Sequence, residues 1–266
     1  MEIGKKSYPT ISEIIPTRGY REPYIKKWLY TDKIISFDYG NGASYARNKG
    51  ALIGEGEILF FRDDDVTPEN NIFAKLVGKF YERDCIAIVC SQDNIDAYEN
   101  LASIHFNNRI RYNHSLLPDY IDMIYGSCFA ILRKYWEPFD ETISGVEDVE
   151  FGMRIAKKGK IYHAKDITFI HTKHITLLQL LKNDYKRTQD RLQLFRMTGK
   201  KVQSNPNEQI LSAMFWWNPI IFAYLNRGYL RFTATRYGWW MAFKLYCLMI
   251  VDMAVVSGAI CLNLKK

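Results

Sequence analysis

The feature that most constrains the fold is an apolar run that ends in three consecutive aspartates. Residues 57–61 (EILFF) have the continuous apolar pattern of a buried strand, and Arg62 and then Asp63, Asp64 and Asp65 follow directly. Strand-like and helical segments alternate on both sides of this run, which is typical of an α/β layer with a largely parallel sheet. Because ligands of such sheets bind at the carboxyl ends of the strands, the aspartates mark a candidate site.

The predicted elements follow from hydrophobic periodicity and from Gly, Pro and Asn turn signals. We expect strands at 11–16, 33–37, 57–61, 85–90, 124–132, 161–163 and 167–171, and helices at 22–30, 43–54, 69–83 and from about 147 to 156. A long amphipathic helix is expected at 177–197, a polar break at 199–207, and strongly apolar segments at 209–225 and 239–264. The predicted fold class is therefore an α/β protein with a mostly parallel sheet flanked by helices and a C-terminal helical region. We predict two domains, at 1–176 and 177–266.

Composition excludes several classes of protein. With 266 residues, 48% hydrophobic and 24% charged, the chain is not disordered and can bury a core. Its five cysteines form no CxxC pair, which argues against a disulfide scaffold or a cysteine-zinc module and favours a reducing compartment. The first ten residues lack the apolar core of a signal peptide, so we expect the N-terminal part to stay in the cytoplasm.

The positive charge is concentrated in the C-terminal third. Residues 177–266 contain 13 Lys and Arg against 4 Asp and Glu, whereas residues 1–176 contain 23 against 25. The basic residues share a stretch with the longest apolar runs, a combination that favours an anionic membrane surface over nucleic acid. We expect no nucleic-acid partner, and we expect the chemistry in the nearly neutral first part.

The three aspartates favour a divalent cation. Successive side chains of an extended segment point to opposite sides, so Asp63 and Asp65 can face one ligand together while Asp64 points the other way. Adjacent carboxylates are costly without a positive group among them, and a cation with oxygen ligands, shared with substrate phosphates, is the obvious partner. The alternative is an exposed acidic turn that precedes the following helix.

Several motifs occur in an order that resembles glycosyltransferase family 2, the inverting enzymes of GT-A fold. They are GASYARNKG at 42–50, GEGEILFFRDDD at 54–65, GSCFAI at 126–131, FDE at 139–141 and GVEDVEFGMR at 145–154. The resemblance extends over about residues 10–175. Each motif alone is weak, but together they are quite specific.

The resemblance implies a site for a nucleotide-sugar donor. Asp65 would bind Mn²⁺ or Mg²⁺ at the donor diphosphate, Asp63 would contact the ribose or the metal shell, and Asp64 would lie on the donor side. His171, which follows a predicted strand, would complete the metal site, unless it is a structural or acceptor-side histidine.

Further donor contacts are expected on the first two strands and the following helix. Pro16, Thr17 and Arg18 would lie along the nucleobase, and Arg47 would lie near the nucleotide, with a solvated surface salt bridge as its alternative. The family usually has a second strand that ends in acidic residues holding the base. Here either Asp38, after the predicted strand at 33–37, makes that contact, or the nucleotide pocket is abbreviated.

The resemblance also implies the groups that act on the acceptor. Asp148 would be the general base that an inverting displacement needs, and Glu147 would orient it or the acceptor. Gly126, Ser127 and Cys128 would belong to the acceptor-side strand. The alternative is that Glu147 and Asp148 only favour a helix N-terminus through its dipole.

The apolar C-terminal segments predict membrane association. Residues 245–262 are nearly long enough to span a bilayer, although Asp252 interrupts them, with Trp239, Trp240 and Lys244 as interfacial anchors. We expect residues 209–225 to lie in the cytoplasmic interface, with the arginines of the next loop (Arg227, Arg231 and Arg236) at lipid headgroups. The second segment then spans once or lies shallowly. An ordinary hydrophobic subdomain or oligomer interface is the alternative.

These observations predict a membrane-associated inverting glycosyltransferase whose catalytic domain lies on the cytoplasmic side. It would move a sugar from a nucleotide-diphosphate-sugar to a lipid-linked or membrane-proximal glycan, with Mn²⁺ or Mg²⁺ as cofactor. The alternatives are a nucleotidyltransferase on a similar sheet, disfavoured because residues 15–21 offer only Arg18-Gly19 as a phosphate loop, and an inactive membrane-bound scaffold.

Overall fold

A computed structural model describes residues 9–19, 31–93, 100–199 and 218–264. The predicted helix at 22–30 and most of the predicted polar break at 199–207 lie outside these residues. So do residues 209–217 of the predicted apolar segment at 209–225. The described residues divide into two compact units, one within 1–93 and 118–171 and the other within 94–117 and 172–266.

The first unit is built on an eight-stranded mixed sheet. Its strands are β1 (Ile11–Thr17), β2 (Thr31–Phe37), β3 (Ile58–Arg62), β4 (Thr67–Pro68), β5 (Ala87–Gln92), β6 (Tyr120–Ile121), β7 (Cys128–Leu132) and β8 (Ile161–Ile170). Their order is β2-β1-β3-β7-β5-β8-β4, and β6 pairs with β8. Strands β1, β2, β3, β5 and β8 run in one direction, whereas β7 lies antiparallel between β3 and β5.

Helices cover both faces of this sheet, as the alternation of strands and helices predicts. The first unit contains α1 (Ala43–Ile53), α2 (Ile72–Glu82), α4 (Glu147–Ile155) and a single 3₁₀ turn at Arg133–Tyr135. In β3, Ile58 and Phe60 pack with the residues of α2, whereas Leu59 and Phe61 pack on the other face with those of α1 and α4. This two-faced burial explains why β3 has a continuous apolar sequence.

The second unit is helical. It contains α3 (Leu101–Leu116), α5 (Leu177–Thr198), α6 (Pro219–Leu225), α7 (Arg227–Tyr237) and α8 (Trp239–Leu264). Thr176 and Gln179 form a capping box at the start of α5, and Gly199 ends that helix in a left-handed conformation. Residues Trp239–Cys261 of α8 are, by length and composition, long and apolar enough to cross a membrane.

Some elements differ from the predictions. The strand expected at 124–132 begins only at Cys128, because residues 124–127 form the turn that leads into β7. The two strands expected at 161–163 and 167–171 are one strand, β8, whose register against β5 shifts at Cys90 and Ser91. Lys165 and Asp166, which are exposed at this point of β8, have the polar sequence pattern of a turn and for that reason the sequence predicted two strands.

Two helices were not predicted. The loop expected to carry Arg227, Arg231 and Arg236 is the helix α7. Helix α3 has no clear apolar face because polar side chains, including His105 and Asn107, occupy its buried positions. Helix α3 belongs to the second unit, together with residues from 172 onward.

Candidate functional site

The acidic run lies where β3 ends beside the start of β7. Arg62 pairs with Cys128 across the two strands, and the Asp63 amide donates a hydrogen bond to the Ser127 carbonyl at 3.1 Å. The turn residue Gly126 precedes this contact. The two predicted motifs, the aspartates and the acceptor-side strand, are therefore adjacent in space.

The side chain of Arg62 connects the acidic run to the sheet. Its side chain is fully buried and its Nε atom bonds Glu13 Oε1 of β1 at 2.6 Å. Its Nη1 atom donates to the carbonyl oxygen of Val66 at 3.1 Å. Because a buried guanidinium needs such partners, the turn from Asp63 to Val66 is fixed to the sheet.

Asp63, Asp65 and His171 offer three possible metal-ligand atoms within 4.8 Å of one another. His171 directly follows β8 and is 5% exposed, and its Nε2 atom lies 3.0 Å from Asp65 Oδ1. Two carboxylates and one imidazole at this spacing fit a single divalent cation. Asp63 and Asp65 share this side of the run, although residues 64–65 form a turn closed by the Val66 amide and the Asp63 carbonyl and not the extended segment that the prediction assumed.

Asp64 points to the end of β1. Its Oδ2 atom accepts a hydrogen bond from Thr17 Oγ1 at 2.6 Å. Nearby, Asp38 follows β2 and forms an ion pair with exposed Arg18 at 3.3 Å, while its Oδ1 atom accepts from the Gly40 amide at 3.0 Å. The expected donor-side residues thus form one polar edge. Pro16 is buried within β1, beyond the last residue that pairs with β3.

Arg47 joins the two carboxylate clusters. It lies on α1, is 4% exposed, and donates to Asp63 Oδ1 and to Glu147 Oε1, each at 3.0 Å. Burial alone would lower the pKa of Arg47, but Asp63, Glu147 and Asp148 outweigh burial and raise it. Arg47 is therefore not in the solvated surface salt bridge of the alternative interpretation. It is a positive group among the aspartates even without a metal.

Asp148 begins α4 but reaches beyond its own helix. Its Oδ2 atom accepts from the Gly126 amide at 2.5 Å, and its Oδ1 atom accepts from the Val149 amide at 2.8 Å. Burial, and next the like charge of Glu147, raise the pKa of Asp148 to about 6, although Arg47 and the two amides act in the opposite direction. A carboxyl with a pKa in this range can accept a proton near neutral pH.

Two glycines permit this approach. A Cβ atom on Gly126 would lie 2.7 Å from the Asp148 Cβ atom, and one on Gly152 would lie 2.0 Å from the Ile124 backbone nitrogen. Helix α4 therefore packs directly on the chain before β7. This contact places Glu147 and Asp148 beside the end of β3.

Asn48 is a positioning residue that the sequence reasoning did not single out. Its Nδ2 atom donates to the Phe139 carbonyl and to Glu141 Oε1, and its Oδ1 atom accepts from the Phe139 amide at 2.7 Å. Asn48 thereby connects the ARN and FDE motifs. The only signal in the sequence is its place directly after Arg47.

Residues 17–137 match the family model described as Glycosyl transferase family 2. These residues, somewhat less than half of the chain, are similar to glycosyltransferase family 2. The family and the enzyme class predicted from the sequence are confirmed. The matched stretch contains Arg47 and the aspartates and ends before α4, and the roles of all the expected site residues stay predictions.

Solved glycosyltransferases are similar to the chain. A mannosyltransferase from Pyrobaculum calidifontis in complex with GDP-Man and Mn²⁺ is 15% identical, with a TM-score of 0.57 over 97% of this chain and 88% of the other. TarS from S. aureus in complex with UDP-GlcNAc is 12% identical, with a TM-score of 0.44 over 96% and 92%. No curated protein sequence matches the chain significantly. The first likeness and the sheet order confirm the predicted GT-A fold.

Proposed function

We propose that the chain transfers a sugar, with inversion, from a nucleotide-diphosphate-sugar to an acceptor hydroxyl. The observation that carries the proposal is the pair of 3.0 Å contacts from Arg47 to Asp63 and to Glu147. They bring the donor-side and acceptor-side carboxylates of a glycosyltransferase domain into one site. The mannosyltransferase and TarS were both solved with nucleotide-sugars, which supports the same donor class here.

Asp63, Asp65 and His171 are the residues that would hold a metal. Carboxylates suit Mg²⁺ and Mn²⁺, whereas imidazole is more typical of transition metals, so the set favours Mn²⁺. The Mn²⁺ of the related mannosyltransferase supports this choice. When bound, the ion would supply positive charge at the donor diphosphate as the leaving group departs.

Asp148 is the proposed general base. It takes the proton of the acceptor hydroxyl while the acceptor oxygen forms a bond to the anomeric carbon, whose bond to the diphosphate breaks on the opposite face. The Gly126 amide fixes the orientation of the carboxylate. Glu147, held by Arg47, orients the acceptor and contributes to the raised pKa of Asp148.

Donor recognition is assigned to the polar edge at the ends of β1 and β2. Thr17 is positioned by Asp64, and Arg18 by Asp38, while the buried Pro16 would support that edge from within β1. Gly126, Ser127 and Cys128, which adjoin Asp63 through the Ser127 carbonyl, are assigned to the acceptor side.

A lipid-linked or membrane-proximal glycan is the proposed acceptor class, with the enzyme on the cytoplasmic face. The apolar helix α8 and the excess of basic residues in 177–266 support association with a membrane. An enzyme bound to a bilayer encounters acceptors that are anchored there.

The products distinguish the proposal from its alternatives. The chain is incubated with Mn²⁺, with UDP-, GDP- or dTDP-sugars and with a membrane lipid extract that supplies acceptors, and both donor binding and the released nucleotide are measured. A glycosyltransferase releases a nucleoside diphosphate. Pyrophosphate would indicate a nucleotidyltransferase, and no binding of any donor would indicate an inactive scaffold.

We expect Asp65→Asn to weaken Mn²⁺-dependent donor binding by about 100-fold, because even residues behind metal ligands contribute 10- to 100-fold to affinity. Titration calorimetry with and without Mn²⁺ measures this effect. The matched variant is Asp64→Asn, which removes a carboxylate that bonds Thr17 instead. It should lower donor affinity to the same degree with and without the metal. Equal metal dependence in Asp65→Asn and the unaltered chain would contradict the assignment.

We expect Glu147→Gln to move the acid limb of kcat/KM to lower pH. The unaltered enzyme should lose activity as the pH falls through a pKa that burial and Glu147 raise to about 6, because Asp148 must be ionised to act as a base. The substitution removes the like charge and leaves the charge of Arg47 less neutralised, and both changes lower the pKa of Asp148. The pH profile of kcat/KM measures the shift. An unmoved or higher acid limb would remove Asp148 from the base role.

A further inference from the structure

The helix α8 presents two different faces. Its buried residues recur at Ala242, Leu245, Met249, Asp252 and Ala259. Its exposed residues recur at Trp240, Phe243, Cys247, Val251, Gly258 and Cys261. Both sets follow the three- or four-residue spacing of one helix face. The buried residues pack on the other helices of the second unit. The exposed residues form an uncovered apolar stripe along α8, hereafter the outer stripe.

The inward face carries the one acidic residue of α8, and the protein neutralises it. Asp252 is 2% exposed, and its Oδ2 atom accepts from Arg109 Nη1 of α3 at 2.6 Å. Arg109 also bonds Asp184 of α5, through Nη2, at 2.7 Å. Leu248 packs beside Ile175 and Leu180. This face of α8 is therefore bound to polar helices by buried ion pairs.

These contacts oppose a transmembrane orientation. The neighbouring helix α5 has exposed basic residues at Lys182, Lys186, Arg191 and Arg196. If α8 crossed the bilayer, it would either carry these charges into the hydrocarbon or lose the partners of Asp252, and both changes are costly. The outer stripe is the face of α8 that stays available to lipid.

Basic residues stack on the exposed aromatic residues of this unit. Lys244 Nζ lies 5.2 Å from the ring centroid of Trp240, and the Arg227 guanidinium lies 4.3 Å from that of Tyr224. Aromatic rings beside cations are typical of the headgroup region of a membrane. The net charge of +9 in 177–266 favours anionic lipid and disfavours a second copy, which would bring the same positive charge.

We infer that α8 lies along an anionic membrane surface, with Trp240, Phe243 and Val251 against lipid and Asp252 turned into the protein. Helix α8 therefore does not span the bilayer. This inference rests on the membrane association in the proposed function and specifies its geometry.

Topology tests the orientation. The full chain with a C-terminal epitope tag is expressed in bacteria, and sealed membrane vesicles of both orientations are treated with protease. We expect the tag and the sheet unit to be digested in the same vesicle preparation, because both lie on one side. If the tag is digested in vesicles of one orientation and the sheet unit in vesicles of the other, α8 spans the bilayer and the inference is overturned.

Vesicle flotation tests the surface. Phe243→Glu and Val251→Glu should each bind phosphatidylglycerol-containing vesicles about tenfold or more weakly than the unaltered chain, because a charge replaces a buried apolar group. The matched control is Leu52→Glu, which places the same charge on an exposed apolar position of α1 and should bind normally. Equal losses in all three variants, or equal binding to pure phosphatidylcholine, would contradict the inference.

Two further measurements distinguish membrane binding from dimerisation through the outer stripe and from a failure of the proposed function. Sedimentation without lipid should show a monomer, and a dimer that Phe243→Glu dissociates would assign the outer stripe to a second copy instead. Mn²⁺-dependent binding of the nucleotide-sugar donor in lipid-free buffer, which needs no acceptor, should be the same in Phe243→Glu and the unaltered chain. Absence of donor binding in both would refute the proposed function, whereas loss of flotation alone concerns only the membrane surface.

Discussion

Asp148→Asn is expected to lower kcat by about 10³-fold or more, while the affinity for the nucleotide-sugar donor is unchanged. A positioned general base contributes roughly 10²- to 10⁴-fold, and the amide has no basic oxygen that can take the acceptor proton. The change is nearly isosteric, so one oxygen can still accept from the Gly126 amide. Steady-state transfer assays and donor titration measure the two effects separately.

The stability of Asp148→Asn excludes unfolding as the cause of such a loss. Folding raises the pKa of Asp148 above its ordinary value, so its contribution to stability is greatest at low pH and is lost as the pH rises through about 6. A neutral amide removes this penalty. The thermal unfolding temperature at neutral pH should therefore be unchanged or higher.

Glu150→Gln is the matched control for the helix-dipole interpretation of Asp148. Glu150 lies in the same first turn of α4 but bonds Arg154 of its own helix at 2.7 Å. If the acidic residues only favour the helix N-terminus, both variants should lose a few tenths of a kcal/mol of stability and keep similar activity. Near-normal turnover of Asp148→Asn would therefore favour the dipole interpretation and remove the base.

Local sequence patterns account for much of the sheet unit. The continuous apolar run of β3 is a property of a few neighbouring residues. It predicts the strand to within one residue. The period-two alternation expected after it is not what brings Asp63 and Asp65 together, because residues 64–65 form a turn. The helix at Ala43–Ile53 follows equally from its spacing and from the glycines that flank it.

Long-range polar contacts could not be predicted in this way. Arg47 meets Glu147 across 100 positions, and Arg109 meets Asp252 across 143. As long as such partners are unknown, a charged or polar residue in the sequence is taken either for a surface residue or for one whose burial would destabilise the fold. This is why α3 was missed: its buried side includes Asn107 and Asn108, whose partners lie on distant segments. For the same reason Asp252 looked like an interruption of an apolar segment.

The buried partners of Arg109 predict a large loss of stability for Arg109→Met. The substitution leaves two carboxylates, Asp184 at 6% and Asp252 at 2% exposure, without their guanidinium. Breaking a buried ion pair from one side costs about 3–5 kcal/mol, because the remaining charge is uncompensated. Native-state hydrogen exchange of the full chain should show faster exchange in α3, α5 and α8, with the strands of the sheet unit little affected.

The triple variant Arg109→Met, Asp184→Leu, Asp252→Leu separates the charge effect from the loss of packing. It removes all three charges together, and apolar replacement of a buried ion cluster is often neutral or stabilising by about 1–4 kcal/mol. We therefore expect slow exchange in α8 to return. If Arg109→Met alone costs less than about 1 kcal/mol, the cluster is solvated in solution, and α8 is not bound to its neighbours through Asp252.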